Sequence, residues 1–229
     1  MPMSCTQLAA GSANTNNNQT THAGNSGSPA AGDLLIAIVQ VSGNTVAGSM
    51  SGTWRWTFLT SFTKNSGADT VYIYWAYASA ATLTAPVYNI SGNSTGSAMI
   101  VLRLTGLEGQ QVPSVRQMVS AVASTANPAV TLNYAVNTNN GVIGIATNTT
   151  NSSTQWTMPT GWTAEVTELA YNTPGTSLQV CYRTSGETGR TITWTNANTT
   201  AWGVMVIEFW VPRFRSTGGG MALLTPSMY

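Results

Sequence analysis

The single histidine, His22, and the two cysteines, Cys5 and Cys181, are the residues that could carry nucleophilic or metal chemistry. A Ser-His-Asp or Cys-His arrangement would have to use His22, which lies in a polar segment with almost no apolar residues. Zinc and non-haem iron sites need several His or Cys ligands, and two cysteines so far apart indicate neither such a site nor a disulfide framework. We therefore expect no metal and no other cofactor, a solvated His22, and a Cys181 that is simply packed in a strand.

The seven acidic residues have spacings that favour ion pairs over acid/base catalysis. Glu165 and Glu168 are three residues apart on a predicted strand, so their side chains should point to opposite faces. Glu187 lies three residues before Arg190 in a predicted turn, which indicates a surface ion pair worth at most ~1 kcal/mol. A glycosidase needs two carboxyl groups ~5 to 9.5 Å apart, and no spacing in the chain suggests such a couple. We predict that the protein is not an enzyme.

The low content of charged residues indicates which kinds of partner the protein can bind. Only 7% of the 229 residues are charged, against roughly 25% in an ordinary soluble domain. The eight Lys and Arg residues are scattered, and the formal net charge is +1. Nucleic-acid binding usually shows a basic patch or stripe, so we expect no nucleic-acid partner. Thr, Ser, Asn and Gly supply a neutral polar surface, which suits crowded assemblies of many copies and also secreted sugar-binding domains.

Alternating or β-branched runs recur along the chain and predict an all-β protein. Residues 115–124 fit either a helix or a strand. No stretch approaches the ~20 apolar residues of a membrane span, and the N-terminus does not resemble a signal peptide. We predict an N-terminal arm or long loop over residues 1–30, an antiparallel, jelly-roll-like β-sandwich over residues 31–211, and a C-terminal tail over residues 212–229. The predicted strands are 33–41, 55–62, 70–78, 85–91, 97–107, 129–136, 141–148, 161–169, 177–184, 190–196 and 201–211.

The order of these runs repeats within the chain. Five segments of residues 31–107 have counterparts in residues 129–211 at a nearly constant separation of about 106 residues. The halves could form two abutting lobes or two parts of one sandwich, and we favour one sandwich because residues 107–117 lack a free linker's Pro- or Gly-rich run. Arg103 and Glu208 interrupt equivalent apolar strands. They therefore predict an outward-facing polar position or a pair across an interface.

Several of these runs resemble a known group of proteins. They are "AGDLLIAIV" (31–39), "MPTGWTAEV" (158–166), "SLQVCYRT" (177–184) and "TITWTNANTTAWGVMVIEFW" (191–210). Together they resemble the β-sandwich accessory proteins of tailed-bacteriophage virions: head decorations, head or tail fibres and tail accessory proteins. The resemblance covers roughly residues 30 to 211 and rests on packing motifs, so no site residue carries over.

The resemblance implies a non-enzymatic structural protein of the virion, made in the host cytoplasm. The role we expect is a capsid decoration or cement protein that stabilises the shell. The alternative is a receptor- or glycan-binding module of a fibre or tail. The expected partners are copies of the chain itself and the major capsid or another virion protein, with a host surface glycan as a further candidate.

Two segments are candidates for contacts with such partners. In "TQWTMPTGWT" (154–163), Trp156 and Trp162 flank a turn and form a candidate recognition loop, although the position of Trp162 at the start of an apolar run predicts that it lies in the core. Three glycines, residues 218–220, precede a short apolar tail. Ordering that tail costs about as much backbone entropy as its burial returns, which predicts a docking arm that orders only against a partner; the alternative is a frayed chain terminus. Its candidate contact residues are Met221, Leu223, Leu224, Met228 and Tyr229.

Overall fold

The fold is all-β and antiparallel, consistent with the predicted β-sandwich. A computed structural model describes residues 2–13, 21–23, 28–43, 48–64, 69–79, 86–90, 94, 96–107, 113–125, 127–148, 156–172, 175–196, 201–211, 215–217 and 220–222. These residues contain no helix, and so none that is long and apolar enough to cross a membrane. The jelly-roll detail of the prediction is not confirmed.

The described residues form nineteen strands, and the longer ones other than β1 and β9 match the predicted runs closely. In chain order they are β1 (Ser4–Ala13), β2 (Thr21–Ala23), β3 (Leu34–Ser42), β4 (Ser49–Ser51), β5 (Thr57–Thr63), β6 (Asp69–Tyr77), β7 (Val87–Asn89), β8 (Gly96–Thr105), β9 (Val115–Ala123), β10 (Ala129–Thr131), β11 (Gly141–Asn148), β12 (Trp156–Thr157), β13 (Thr163–Asn172), β14 (Gly175–Arg183), β15 (Thr191–Thr193), β16 (Thr195–Asn196), β17 (Trp202–Phe209), β18 (Arg215–Thr217) and β19 (Gly220–Ala222).

Each half of the chain builds one five-stranded sheet. The first sheet has the order β1-β8-β3-β6-β5, and the second has the order β9-β17-β11-β14-β13. When each strand is replaced by its counterpart from the other half, the two orders are the same, as an internal duplication would give. β1 packs against β13 and β5 against β17. The sheets therefore stack with an approximate twofold relation, and the edge strands of one lie over the opposite side of the other.

The inner faces of the two sheets share the largest core. β3 contributes Ile36 and Ile38, and β11 contributes Ile143 and Ile145. All four side chains are completely buried. This core joins the halves, so the described residues form one sandwich with a common interior.

The outer faces are covered as well. The small sheet β2-β7-β4 brings Tyr88 onto the first sheet, where it packs with Tyr72 and Tyr74. The pairs β10-β15 and β12-β16 cover the second sheet and bring Trp194 onto it. A strand that is buried on both faces has no polar side. This explains why β3, β11 and β17 are near-continuous apolar runs that are buried at every position.

The N-terminal segment is not a free arm, and the prediction for residues 1–30 is wrong in its described part. β1 pairs with β8 from Ser4↔Thr105 to Ala13↔Ser97, and Met3, Cys5 and Ala9 are buried. β2 pairs with β7. β1 is an edge strand made mainly of small and polar residues, so its hydropathy is too low to predict a strand from the sequence. Residues 115–123, which fitted two patterns, form the strand β9.

Candidate interaction surface at the β9 edge

The predicted recognition loop does not present its tryptophans to solvent. Trp156 and Trp162 are each 7% exposed and lie in the core on the outer face of the second sheet. The indole nitrogen of Trp156 donates to Oγ of Ser177 at 3.1 Å, and that of Trp162 donates to Oε2 of Glu187 at 2.9 Å. A sugar platform needs an exposed ring face, so this burial removes both residues as glycan contacts. Trp162 lies in the core, as its strand position predicts.

The predicted docking arm is only partly within the described residues. Met221 lies in β19, which pairs with β18 as a short hairpin. Leu223, Leu224, Met228 and Tyr229 lie outside the described residues. The docking role of residues 221–229 remains a prediction.

The titratable groups of the described residues form ion pairs rather than clusters. Three or more His, Cys, Asp or Glu side chains come together nowhere in the described part of the chain. His22 lies in β2 rather than in a loop. Cys5 and Cys181 are buried free thiols, and burial raises the pKa of Cys181 to about 12. A packed role for Cys181 agrees with this environment.

Four carboxylates each have a cationic partner. Lys64 pairs with Asp69, Arg103 with Asp33, Arg116 with Glu208, and Arg183 with Glu187. The prediction that Glu187 pairs with Arg190 is therefore wrong. The reason is geometric, because Arg183 leaves β14 beside the Glu187 turn, whereas Nε of Arg190 donates to the carbonyl of Leu132 at 2.8 Å.

One cavity of the described residues lies at the end of the sandwich near Asp33 and Arg103. It has a volume of about 150 Å³ and is lined by residues that include Asp33, Tyr77 and Gly106. Sites for small organic ligands are usually ~300 to 1,000 Å³. This cavity is therefore too small to hold such a ligand within the fold.

The carboxylate of Glu208 accepts hydrogen bonds from four other residues of the described structure. Its carboxylate is fully buried beneath the outer face of the second sheet. Oε1 accepts from Nη1 of Arg116 at 2.8 Å, from Nδ2 of Asn140 at 2.7 Å and from the backbone N–H of Asn137 at 3.0 Å. Oε2 accepts from Nε2 of Gln117 at 2.5 Å and also from Arg116 at 2.9 Å.

Burial opposes the charge of Glu208, but its hydrogen bonds outweigh burial. The donors from Asn137, Gln117, Asn140 and Arg116 hold the pKa of this carboxyl below its ordinary value. Glu208 is therefore ionised at neutral pH. The prediction that it faces outward or pairs across an interface is wrong, because it ties β9 and the segment after β10 onto β17.

A β-bulge explains how two consecutive residues of β9 reach the same carboxylate. Gln117 lies opposite Glu208, but Val115 lies opposite Phe209, so Arg116 is an extra residue in the strand. A bulge re-aims a side chain that would otherwise point to the other face. The amide of Gln117 also exchanges two hydrogen bonds with the backbone of Tyr134, and Arg116 donates to the carbonyl of Ala135.

Arg116 continues outward into a surface cluster with two aromatic rings. Its guanidinium carbon lies 5.8 Å from the ring centroid of Tyr134 and 5.6 Å from that of Trp210. Tyr134 is 65% exposed and Trp210 is 39% exposed. Because Glu208 compensates the guanidinium charge, these three side chains, the Arg116 cluster, form a nearly neutral aromatic surface.

The strand that carries Arg116 is an open edge of the second sheet. β9 hydrogen-bonds to β17 on one side, and the described residues place no strand on the other. Met118, Ser120 and Val122 are exposed, whereas Val119, Ala121 and Ala123 pack toward the outer core. Residues 117–123, the β9 edge, therefore have no strand partner on their outer side among the described residues, expose the apolar side chains of Met118 and Val122, and contain no charged side chain.

Sequence reasoning missed this surface. Tyr134 and Trp210 lie at the ends of predicted strands, where exposure cannot be read from the pattern. The edge position of β9 depends on the strand order, which sequence periodicity does not give. A usable signal was the weak alternation of "QMVSAVA", since strands that are buried on both faces show none.

The chain matches no model of a known protein family, and no curated protein sequence is significantly similar to it.

Proposed function

We propose that the protein is a non-enzymatic structural component of a tailed-bacteriophage virion, acting as a capsid decoration or cement protein. The observation that carries this proposal is the β9 edge, which has no strand partner on its outer side in the described part of the chain and exposes Met118 and Val122 without a charge. Isolated proteins usually blunt such an edge with charges, prolines or bulges. A long uncharged edge is best explained by a protein partner that covers it in the working assembly.

Two further features support the proposal. The low charge and the Thr-, Ser- and Asn-rich composition fit a chain that packs at high copy number. The runs in residues 30–211 resemble virion accessory proteins in their packing motifs. The described carboxylates are neutralised by cations or by donors, which fits a role in stable packing better than one in proton transfer.

The test is reconstitution on shells that lack the protein. Purified chain is added to such shells, and bound copies are counted by quantitative gel densitometry while shell melting is followed by calorimetry. We expect saturable binding in many symmetric copies and a higher shell melting temperature. Absence of binding, or binding without a change in shell stability, would contradict the cement role.

The same reconstitution assay tests whether the C-terminal tail is a docking arm. A chain truncated after Thr217 lacks residues 218–229. We expect it to occupy shells less completely than the full chain, because the apolar tail adds contact area or a strand to a neighbour. Equal occupancy would show that the tail is not a docking arm.

A receptor- or glycan-binding role in a fibre or tail is the second candidate, and the Arg116 cluster favours it. Exposed Tyr and Trp rings beside an arginine offer stacking faces and hydrogen-bond donors for a neutral sugar. Tyr134→Ala and Trp210→Ala should then abolish binding to host cells or polysaccharide. Phe58→Ala is the matched control, because Phe58 is an exposed aromatic on the first sheet. Unchanged cell binding in both cluster variants would exclude this site.

A further inference from the structure

The two described five-stranded sheets have four edge strands, and in three of them register shifts leave no regular run longer than five residues. β1 is broken by a bulge between Gln7 and Ala9, and β5 by one between Phe58 and Thr60. β13 is broken twice, between Ala164 and Leu169. Bulges twist an edge and disrupt the unpaired row of N–H and C=O groups, which hinders pairing with another chain.

β9 differs from the other three edges. Its bulge lies at the N-terminal end, beside Arg116, and residues 117–123 pair with β17 in one unbroken run of seven. The longest unbroken runs of the other edges are residues 9–13, 60–63 and 169–172. The β1 and β13 edges also pack against each other across the sandwich. The β9 edge is thus the one regular, uncovered template for a further strand among these edges.

We infer that a second copy of the chain occupies this template, with β9 of one copy pairing antiparallel to β9 of the other about a twofold axis at Ser120. The inference rests on the proposed structural role and assigns the partner of its assembly surface. Only one register pairs all seven residues 117–123 of one copy with the same seven residues of the other. In that register the numbers of two opposite residues add up to 240. Ser120 then faces Ser120 of the second copy, and Met118 faces Val122.

The side chains suit this register. Met118 and Val122 are exposed on one face and form two apolar cross-strand pairs in the dimer. The small residues Ser120 and Ala121 lie at the axis, where two backbones must approach closely. The only charge on β9, Arg116, lies outside the paired run and is bound to Glu208 of its own chain, so no like charges oppose each other. The result is a ten-stranded sheet that continues through both copies.

The register can be tested with single cysteines, because Cys5 and Cys181 are buried. Opposite Cα atoms in an antiparallel pair lie ~4.5 or 5.5 Å apart, within the range of a disulfide. Ser120→Cys should therefore form covalent dimers under mild oxidation. Ser61→Cys, an exposed serine on the interrupted edge β5, is the matched control and should form no covalent dimers, because β5 lies away from the inferred seam.

Met118→Cys and Val122→Cys make the test specific for the register. Each alone should cross-link poorly, because like positions lie ~13 Å apart along the strands. An equimolar mixture of the two should give heterodimers. Cross-linking of Ser120→Cys no faster than that of Ser61→Cys, or homodimers of Met118→Cys, would overturn the inference.

A non-covalent variant completes the experiment. Val122→Lys places a lysine at the seam of each copy, and the dimer dissociation constant in sedimentation should rise about tenfold or more. Ser61→Lys should leave it unchanged, and circular dichroism checks the fold of both. If truncation after Thr217 dissolves the dimer while Val122→Lys does not, the tail is the occupant and the inference is wrong. If the protein is monomeric but still binds shells, the β9 dimer is wrong and the proposed function stands. If the protein dimerises but does not bind shells, the proposed function is wrong and the dimer stands.

Discussion

Replacing Glu208 by glutamine tests whether the buried carboxylate holds β9 and residues 132–140 onto the second sheet. The amide keeps one acceptor oxygen, which can retain the bonds that Oε1 accepts from Asn137, Asn140 and Arg116. Its –NH₂ group then faces Nε2 of Gln117 and Nη1 of Arg116, which are both donors. Two charge-assisted bonds become donor–donor contacts in a buried site.

The magnitude follows from those two contacts. A buried donor that loses its acceptor costs ~1 to 3 kcal/mol, and Gln117 can turn its amide only by giving up its bonds to Tyr134. Arg116 keeps its bonds to Oε1 and to the carbonyl of Ala135 but loses the Oε2 bond and the carboxylate's charge, and its 21% exposure lets water relieve part of that loss. We expect Glu208→Gln to lower the free energy of unfolding by about 2 to 4 kcal/mol, a fall in melting temperature of roughly 4 to 16 °C for a chain of this size.

Denaturant unfolding followed by tryptophan fluorescence measures this loss. Asp33→Asn is the matched control, because Arg103 and the backbone N–H of Ala30 both contact Oδ2, which the amide oxygen can replace, so the variant should lose only about 1 kcal/mol. If Glu208→Gln is no more destabilising than Asp33→Asn, the hydrogen bonds around Glu208 do not stabilise this part of the fold.

The remaining predictions concern pH, packing and thiol chemistry. Hydrogen bonds to both Glu208 and Glu187 outweigh burial and lower their pKa values, so their stabilisation is present above the unfolded value of ~4.3. It should be lost as pH falls below that value, and urea titrations of Glu208→Gln should show a weaker acid dependence than wild type. Trp162→Ala should cost ~3 to 5 kcal/mol by leaving a core cavity, measured by thermal melting. Gly144→Ala should cost ~1 to 3 kcal/mol in the same assay, because its Cβ would lie 2.7 and 2.9 Å from two buried indole rings. Cys181, with a pKa of about 12 and no exposure, should resist thiol reagents at pH 8 until the protein is unfolded.

The strands of this protein could be predicted because their local chemistry is unambiguous. β3, β6, β8, β11 and β17 are β-branched and aromatic runs that Gly, Asn and Ser residues separate, and each matches its predicted run to within about two residues. The repeat also predicted a common order of strands. β1 was missed because Ser, Thr and Ala residues dominate it, and a strand of small residues resembles a loop in hydropathy.

The candidate interaction surface could not be predicted in the same way. Glu208 was expected to face solvent because a lone carboxylate in an apolar run is costly to bury. Its donors come from Arg116, Gln117 and Asn140, which are close only after β9 and β17 pair. Tyr134 and Trp210 meet across Arg116 for the same reason. Long-range pairing, rather than local pattern, creates both the buried carboxylate site and the exposed edge beside it.

The concentration dependence of hydrogen exchange in β9 tests most directly whether this edge is a working interface. No described strand pairs with the outward N–H groups of residues 117–123, and the inferred pairing with a second copy would hydrogen-bond them. We predict that peptides covering this run become more protected as protein concentration rises, while β5 peptides do not change and Val122→Lys removes the effect. Exchange of residues 117–123 that is independent of concentration, in a protein that nevertheless self-associates, would contradict the assignment of the β9 edge.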